Sequence, residues 1–335
     1  MIMKNDLTIP DMPDIPGLKL RRFKAKHDPQ RIAELINACK QKDGIERSAT
    51  AESVDRMIRH LDNCDTVNDM VCVEANGDLI AFGYTHWEIL NDDTHLYHIN
   101  GWLKPAWRGK GIGTALYQAA ERRIHEIAQD HSKAHPKCMQ IESFETEKDL
   151  IALLVQHQWK TVRYETYMTR DLNDTIQEIP LPIGFEIRPV AKEHIRPIFD
   201  ASNEAFRDHW GAYVQSEEEY RYQIEDPDFR PELWRVAWHG DEIASIIHNF
   251  YDEQENIEYN RKRGYTEGIC TLPKWRKRGL AGALLSQSMQ MFKEMGFTQT
   301  ALSVDTENIS GALGLYERVG YRKEKIQIVY RKPIM

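Results

Sequence analysis

Hydrophobic and polar positions along the chain change period in a fixed order, and that order occurs twice. "LKLRRF" alternates as a short strand. Asp28 to Lys42 and Ser53 to Leu61 carry helical spacing, each opening on a residue able to cap. "DMVCVEA" and "DLIAFGYTHWEI" flank Asn76-Gly77, a hairpin turn. "THLYHINGWL" predicts a strand that runs into a glycine turn, and a helix follows from about Gly111 to Ala128. "CMQIESF", "EKDLIALLVQH" and "TVRYETYMTRDL" read as strand, helix and strand. Asn173 to Gly184, with two prolines, reads as a linker. The second pass gives a strand in "FEIRPV", helices over Glu193 to Phe206 and Ser216 to Glu225, and a hairpin turning at Gly240-Asp241. A polar loop spans Asp252 to Arg263. Then come the strand "YTEGICTL", a long helix after Gly279, the strand "TQTALSVDT", the helix "SGALGLYERV" and a last strand "EKIQIVYRK". Both halves therefore predict the same α+β layout.

The two glycine turns are alike in detail. Arg276-x-x-Gly279-x-Ala281 lies 168 residues (276 minus 108) after Arg108-x-x-Gly111-x-Gly113. Each has a Pro and a Trp upstream at the same offsets: Pro273 and Trp275, Pro105 and Trp107. A helix opening from such a turn presents free backbone N–H groups and the positive end of its dipole. With Arg276, Lys277 and Arg278 beside it, the second turn suits a diphosphate. "ANGDLIAFG" also resembles "WHGDEIASI", so the chain reads as a tandem duplication. The expected parts are a lead-in over 1–17, one domain over 18–172, a linker over 173–184 and a second domain over 185–335.

The form [RQ]-x-x-G-x-[GA], found twice in this setting, resembles the pyrophosphate loop of the GNAT acyltransferases. The order of elements resembles the mixed-sheet GNAT fold, in a plan similar to the two-domain group that includes mycothiol synthase. The resemblance implies that Arg276, Lys277, Arg278, Gly279, Leu280, Ala281 and Gly282 hold the diphosphate of acetyl-CoA. It implies that backbone groups of Ile269, Cys270 and Thr271 meet the pantetheine arm, one of them polarising the acetyl carbonyl. Asn308-x-x-x-Ala312-x-x-x-Tyr316, ahead of Gly320-Tyr321, resembles the second signature of the family. There the Tyr protonates the departing thiolate, a task a phenol can perform. Tyr316 is thus the expected acid, and Glu267, on the strand before the turn, the nominated base. The first copy departs from the pattern, with Leu154 where Tyr316 stands and Thr146 where Asn308 stands. Arg108, Gly109, Lys110, Gly111, Ile112 and Gly113, with Gly101, Trp102 and Leu103 on the strand, imply CoA binding without turnover there.

Composition narrows the rest. A net charge of −8 does not favour nucleic acid or an anionic membrane as partner. No run approaches the roughly 18 apolar residues of a membrane span. Five cysteines without a C-x-x-C pair suggest reduced thiols and a cytoplasmic location. No metal is expected; His125, His131 and His135 read as a solvated helix end. Asp208, His209, Trp210 and the Glu217–Glu219 run would suit an amine-bearing small molecule as acceptor. A monomer or homodimer is expected. The alternatives are a protein or peptide N-acetyltransferase and a non-catalytic acyl-CoA-binding protein.

Overall fold

A computed structural model describes residues 7–308 and 311–334. The chain forms two compact units. Unit 1 holds Met1–Val162, Glu217–Tyr222 and Ile328–Met335; unit 2 holds Arg163–Ser216 and Gln223–Gln327. Both mix helices and strands, as the patterning predicts.

Unit 1 opens with β1 (Leu18–Arg21), α1 (Asp28–Asp43) and α2 (Ala51–Arg59). The Thr50 side chain accepts from the Ser53 N–H, and the Ser53 side chain accepts from the Thr50 N–H, so α2 starts on a reciprocal cap. β2 (Met70–Ala75) and β3 (Asp78–Ile89) meet at Asn76-Gly77, where φ is 51° and 85°, a tight hairpin turn. β4 (His95–Leu103), α3 (Ile112–Gln129), β5 (Lys137–Phe144) and α4 (Lys148–Gln156) complete the run, and β6 (Lys160–Asp171) leads out of it. The strand order is β1-β2-β3-β4-β5, followed by the end of the last strand of the chain. Tyr97, Ile124, Met139 and Leu154 are enclosed in a core that Tyr330 joins.

Unit 2 contains β7 (Glu186–Ile187), α5 (Ile195–Phe206), β8 (Arg235–His239), β9 (Glu242–Phe250), α7 (Glu253–Glu258), β10 (Arg263–Thr271), α8 (Leu280–Glu294), β11 (Gln299–Asp305), α9 (Ala312–Arg318) and the start of β12 (Arg322–Pro333). α6 (Glu217–Ile224) belongs to unit 1 up to Tyr222. The strand order is β12-β6-β11-β10-β9-β8-β7. Leu280, Leu284, Leu285 and Met289 line one face of α8 and are fully enclosed; burying each contributes roughly 1.5–3 kcal/mol.

The compact units divide the chain elsewhere than the repeat does. β6 pairs with β11 from Asp171↔Gln299 to Glu165↔Asp305, which puts most of that strand in unit 2. The stretch read as a linker is packed, not free. Ile179 N–H donates to Ser286 Oγ at 3.2 Å, and Ser286 Oγ donates to Gln177 O at 2.7 Å. The lead-in does the same in unit 1, where Met12 and Ile15 pack against the cluster of Val73, Ala75, Ile80, Ala81 and Ile112. The first six residues of that lead-in lie outside the described residues. The expected polar loop over 252–263 holds α7 instead, because Asp252 caps it by accepting from Glu255 N–H.

Candidate active site

In unit 2, β10 and β11 run parallel but pair only over Arg263–Tyr265. Beyond Tyr265 the ladder between them stops, which leaves a gap in the pairing over the part of β10 that precedes the glycine turn. Gly279 has φ 85° and precedes α8. Lys277 holds φ 63°, a left-handed conformation uncommon for a residue with a Cβ. Alternating left-handed residues point successive N–H groups into one concavity, which favours an anion. The N–H groups of Leu280, Ala281 and Gly282 donate to no described group.

The Arg276 side chain does not face that concavity. Its Nε donates to Thr271 O at 3.1 Å, one Nη to Ala205 O at 2.8 Å and the other to Asp208 at 3.1 Å. Arg276 thus ties the end of β10 to α5, and the ring of cations foreseen around the turn is one smaller. Arg278 lies over the Trp275 ring at 5.1 Å.

β10 also breaks register. Glu267 pairs with His248 and Cys270 with Ile246, so Gly268 and Ile269 oppose the single residue Ile247. This is a β-bulge. Gly268 has φ 58°, and a Cβ there would come within 2.6 Å of His248 Nδ1; glycine is required on both counts. The bulge takes Ile269 out of the regular ladder, beside the gap. Cys270 beyond it is buried, and burial pushes its thiol up to about 12, so it is no nucleophile at neutral pH. Thr271 Oγ1 shares a hydrogen bond of 2.8 Å with Ser245 Oγ.

The side chain of Glu267 accepts from Ser303 N–H at 3.0 Å and Ser303 Oγ at 3.4 Å. Tyr316, on α9, is 5% exposed, and its hydroxyl donates to no described group. Burial, then the charges of Glu267, Tyr321 and Cys270, hold its phenol well above the ordinary range. It therefore keeps its proton at any working pH, as an acid must. Asn308 is half-buried just after β11, its N–H donating to Asp305 O at 3.2 Å.

Unit 1 repeats the turn without the rest. Gly109 and Gly111 have φ 72° and 83°, and the N–H groups of Ile112 and Gly113 donate to no described group. Lys110 lies over Trp107 at 4.7 Å. Arg108 repeats the inward role of Arg276: it donates to Leu103 O at 3.2 Å and to both oxygens of Asp43 at 2.7 Å, and it also reaches Asp149 at 3.2 Å. A Cβ on Gly111 would meet Pro13 of the lead-in at 3.1 Å, whereas nothing lies within 4 Å of that point on Gly279. β4 pairs with β3 from Leu103 to His95 without a break, so Gly101 and Trp102 sit in a regular ladder. Trp102 stacks on Phe82 at 6.3 Å. Leu154, in the position of Tyr316, is wholly enclosed. Trp159 N–H donates to Leu154 O and Tyr321 N–H to Tyr316 O, and Gln158 and Gly320 are both left-handed, so the two helix ends superpose in kind.

Sequence reasoning missed the bulge, though a glycine inside the strand pattern was its signal. It missed His248 altogether. The acidic run assigned to the acceptor is placed differently: Glu218 pairs with His60 at 3.0 Å within unit 1. Trp210 stays near the gap, with Arg163 over its ring at 4.8 Å and Arg163 on Asp305 at 3.3 Å. Among the described residues, no group of three or more His, Cys, Asp or Glu is arranged to hold a metal ion, and no helix is long and apolar enough to cross a membrane.

The sequence profile described as the acetyltransferase (GNAT) family matches residues 30–151 and 196–321. N-alpha-acetyltransferase MAK3 of Arabidopsis thaliana is 28% identical over 96 residues, 28% of this chain and 47% of that protein, so the chain spans about half the length of this curated relative. A GCN5-related N-acetyltransferase from Sphaerobacter thermophilus is 25% identical, with a TM-score of 0.69 and 96% of each chain covered. A tandem GNAT protein from the clavulanic acid biosynthesis pathway shares the fold at 12% identity, a TM-score of 0.67 and 94% and 98% coverage. With a profile match in each half, on top of a glycine turn in each half, the chain belongs to the GNAT acetyltransferase family as a tandem of two GNAT regions.

Proposed function

We propose that the chain transfers an acetyl group from acetyl-CoA to a primary amine of a small molecule, by direct attack in a ternary complex, and that unit 2 carries the chemistry. The observation behind this is the bulge at Gly268–Ile269, with the Glu267 carboxylate and the protonated Tyr316 phenol close to it. A backbone amide freed by the bulge polarises the thioester carbonyl. The amine lone pair attacks that carbon. The nitrogen, cationic once bonded, gives its surplus proton to a neighbouring base. As the tetrahedral species collapses, the thiolate leaves and takes the Tyr316 proton, and the proton held by the base returns to the Tyr316 phenolate through solvent. Leu280, Ala281 and Gly282 hold the diphosphate by their N–H groups, helped by Lys277. The exposed Trp210 and the carboxylates Glu267 and Asp305 favour a cationic, partly aromatic acceptor.

Unit 1 offers the same N–H groups, and on this reading holds CoA without turning it over. Calorimetric titration of the whole protein with CoA tests that point. Two equivalents bound, falling to one in a Gly111→Glu variant, support it; one equivalent, lost in Gly279→Glu, refutes it.

A second reading, acetylation of a protein or peptide amine, is favoured by the likeness to MAK3. Coenzyme A release from acetyl-CoA, screened over small amines and N-terminal peptides, separates the two. Turnover confined to peptides overturns the small-molecule acceptor. No release with any amine overturns the enzymatic reading.

A further inference from the structure

His248 belongs to no part of the scheme above, yet it stands beside the bulge. It is the cross-strand partner of Glu267, so the two side chains share one face of the sheet. Its Nδ1 lies against Gly268, within 2.6 Å of where a Cβ would be. Its Nε2 is enclosed and meets no partner among the described residues. The ring packs on Trp234 at 4.3 Å, tilted by 39°. A buried polar atom left without a partner costs on the order of 1–3 kcal/mol, and such an atom in a native protein calls for an explanation. Unit 1 sharpens the point. At the matching cross-strand position Thr85 faces Ile99, so the half without Tyr316 also lacks both an imidazole and a carboxylate here.

We propose that His248 is a further catalytic residue of the unit 2 reaction, the group that takes the proton from the amine nitrogen as the C–N bond forms. This rests on the acyl-transfer reading given above. Glu267 has both oxygens engaged by Ser303; its task is to accept a hydrogen bond from the incoming amine. The imidazole is the freer lone pair. Burial holds it down to about 4, so it stands neutral at working pH. The amine arrives neutral and its lone pair bonds to the thioester carbonyl carbon. The nitrogen becomes cationic and far more acidic, and its surplus proton passes to the imidazole. The C–S bond then breaks, and the thiolate takes the proton of Tyr316. Return of a proton from the imidazolium to the Tyr316 phenolate, through solvent, restores both groups.

The test is coenzyme A release from acetyl-CoA with ethylamine, phenylethylamine, putrescine and a tetrapeptide as acceptors. It compares wild type, Tyr316→Phe, His248→Ala and His248→Gln, all checked for cooperative melting. Both His248 variants are expected to lose roughly 10²-fold in kcat, with KM for acetyl-CoA unchanged. Free imidazole is expected to restore part of the activity of His248→Ala. Gln fills the site and can hydrogen-bond but cannot take up a proton, so it should be no faster than Ala. Wild-type kcat in either variant overturns the proposal. So does a loss that Gln repairs and imidazole does not, which is the mark of a packing role. Release in wild type that Tyr316→Phe leaves intact sinks the Tyr316 assignment and not this one. No release by wild type with any of the four acceptors overturns the acyl-transfer reading, and the His248 role with it.

Discussion

The two glycine turns are near copies, and the strands that feed them are not. Gly111 and Gly279 have φ 83° and 85°, and each opens a helix whose first N–H groups have no described partner. Arg108 and Arg276 each donate to the carbonyl five residues back. The strand before the turn is unbroken in unit 1 and bulged in unit 2. Where unit 2 sets Glu267, His248 and Tyr316 around the bulge, unit 1 has Ile99, Thr85 and Leu154, apolar or small. The turn needs only backbone geometry, which glycine supplies. Acyl transfer needs a carbonyl-facing amide and two proton carriers. On the function proposed above, unit 2 meets both requirements and unit 1 only the first.

Changing one side of this comparison at a time makes it testable. The largest effect among single side chains is expected for Tyr316→Phe: a loss of roughly 10²–10⁴-fold in kcat, with little change in acetyl-CoA affinity, read by thiol release. The converse change, Leu154→Tyr, should give unit 1 no turnover. It should instead destabilise by roughly 1–3 kcal/mol through overpacking, read by denaturant melts, because Leu154 is fully enclosed.

Gly268→Ala removes the bulge, since a left-handed residue with a Cβ is strained and that Cβ would strike His248. A loss of roughly 10²-fold in kcat follows from displacing the amide donor. Asn100→Ala, at the matching place in the regular ladder of unit 1, should leave kcat unchanged. Equal losses in the two variants would erase the distinction between bulged and regular strand.

A last effect leaves turnover aside and concerns only the pH dependence of stability. Burial pushes His86 in unit 1 down to about 3 and His248 in unit 2 down to about 4. Below the ordinary histidine value of about 6.5, the unfolded chain binds protons that the folded rings refuse. Stability should therefore fall as pH drops from about 6.5 towards about 4, by at most about 1.4 kcal/mol per pH unit for each ring. Urea melts of His86→Asn and His248→Asn should each show a flatter pH profile. An unchanged slope would mean that the ring titrates normally in the folded protein.

The turns, the hairpins, the long helices and the tandem plan were legible in the sequence, because each rests on local signals: glycine spacing, Asn-Gly, and the apolar stripe of α8. The loss of Tyr from the first copy was legible too, as Leu154. What stayed hidden depends on partners distant in sequence. Arg276 looked like a free cation, and only the place of Ala205 and Asp208 turns it inward. His248 reads as an ordinary strand residue until the register sets it opposite Glu267. The packing of 173–184 on α8 rests on Ser286, more than 100 residues on. A polar, proline-containing stretch carries no mark of that contact.

The central claim is that unit 2 alone turns over. The most direct measurement is acetyl-CoA turnover, with the best acceptor of the amine screen, in a matched pair of variants, Gly279→Glu and Gly111→Glu. Both place a carboxylate in a diphosphate turn, and both strain a left-handed glycine of similar φ; Gly111→Glu must in addition displace Pro13, so cooperative melting of both variants is checked. The account predicts no detectable turnover in Gly279→Glu and the wild-type rate in Gly111→Glu. Activity retained in Gly279→Glu, or abolished in a Gly111→Glu protein that still melts cooperatively, would contradict it.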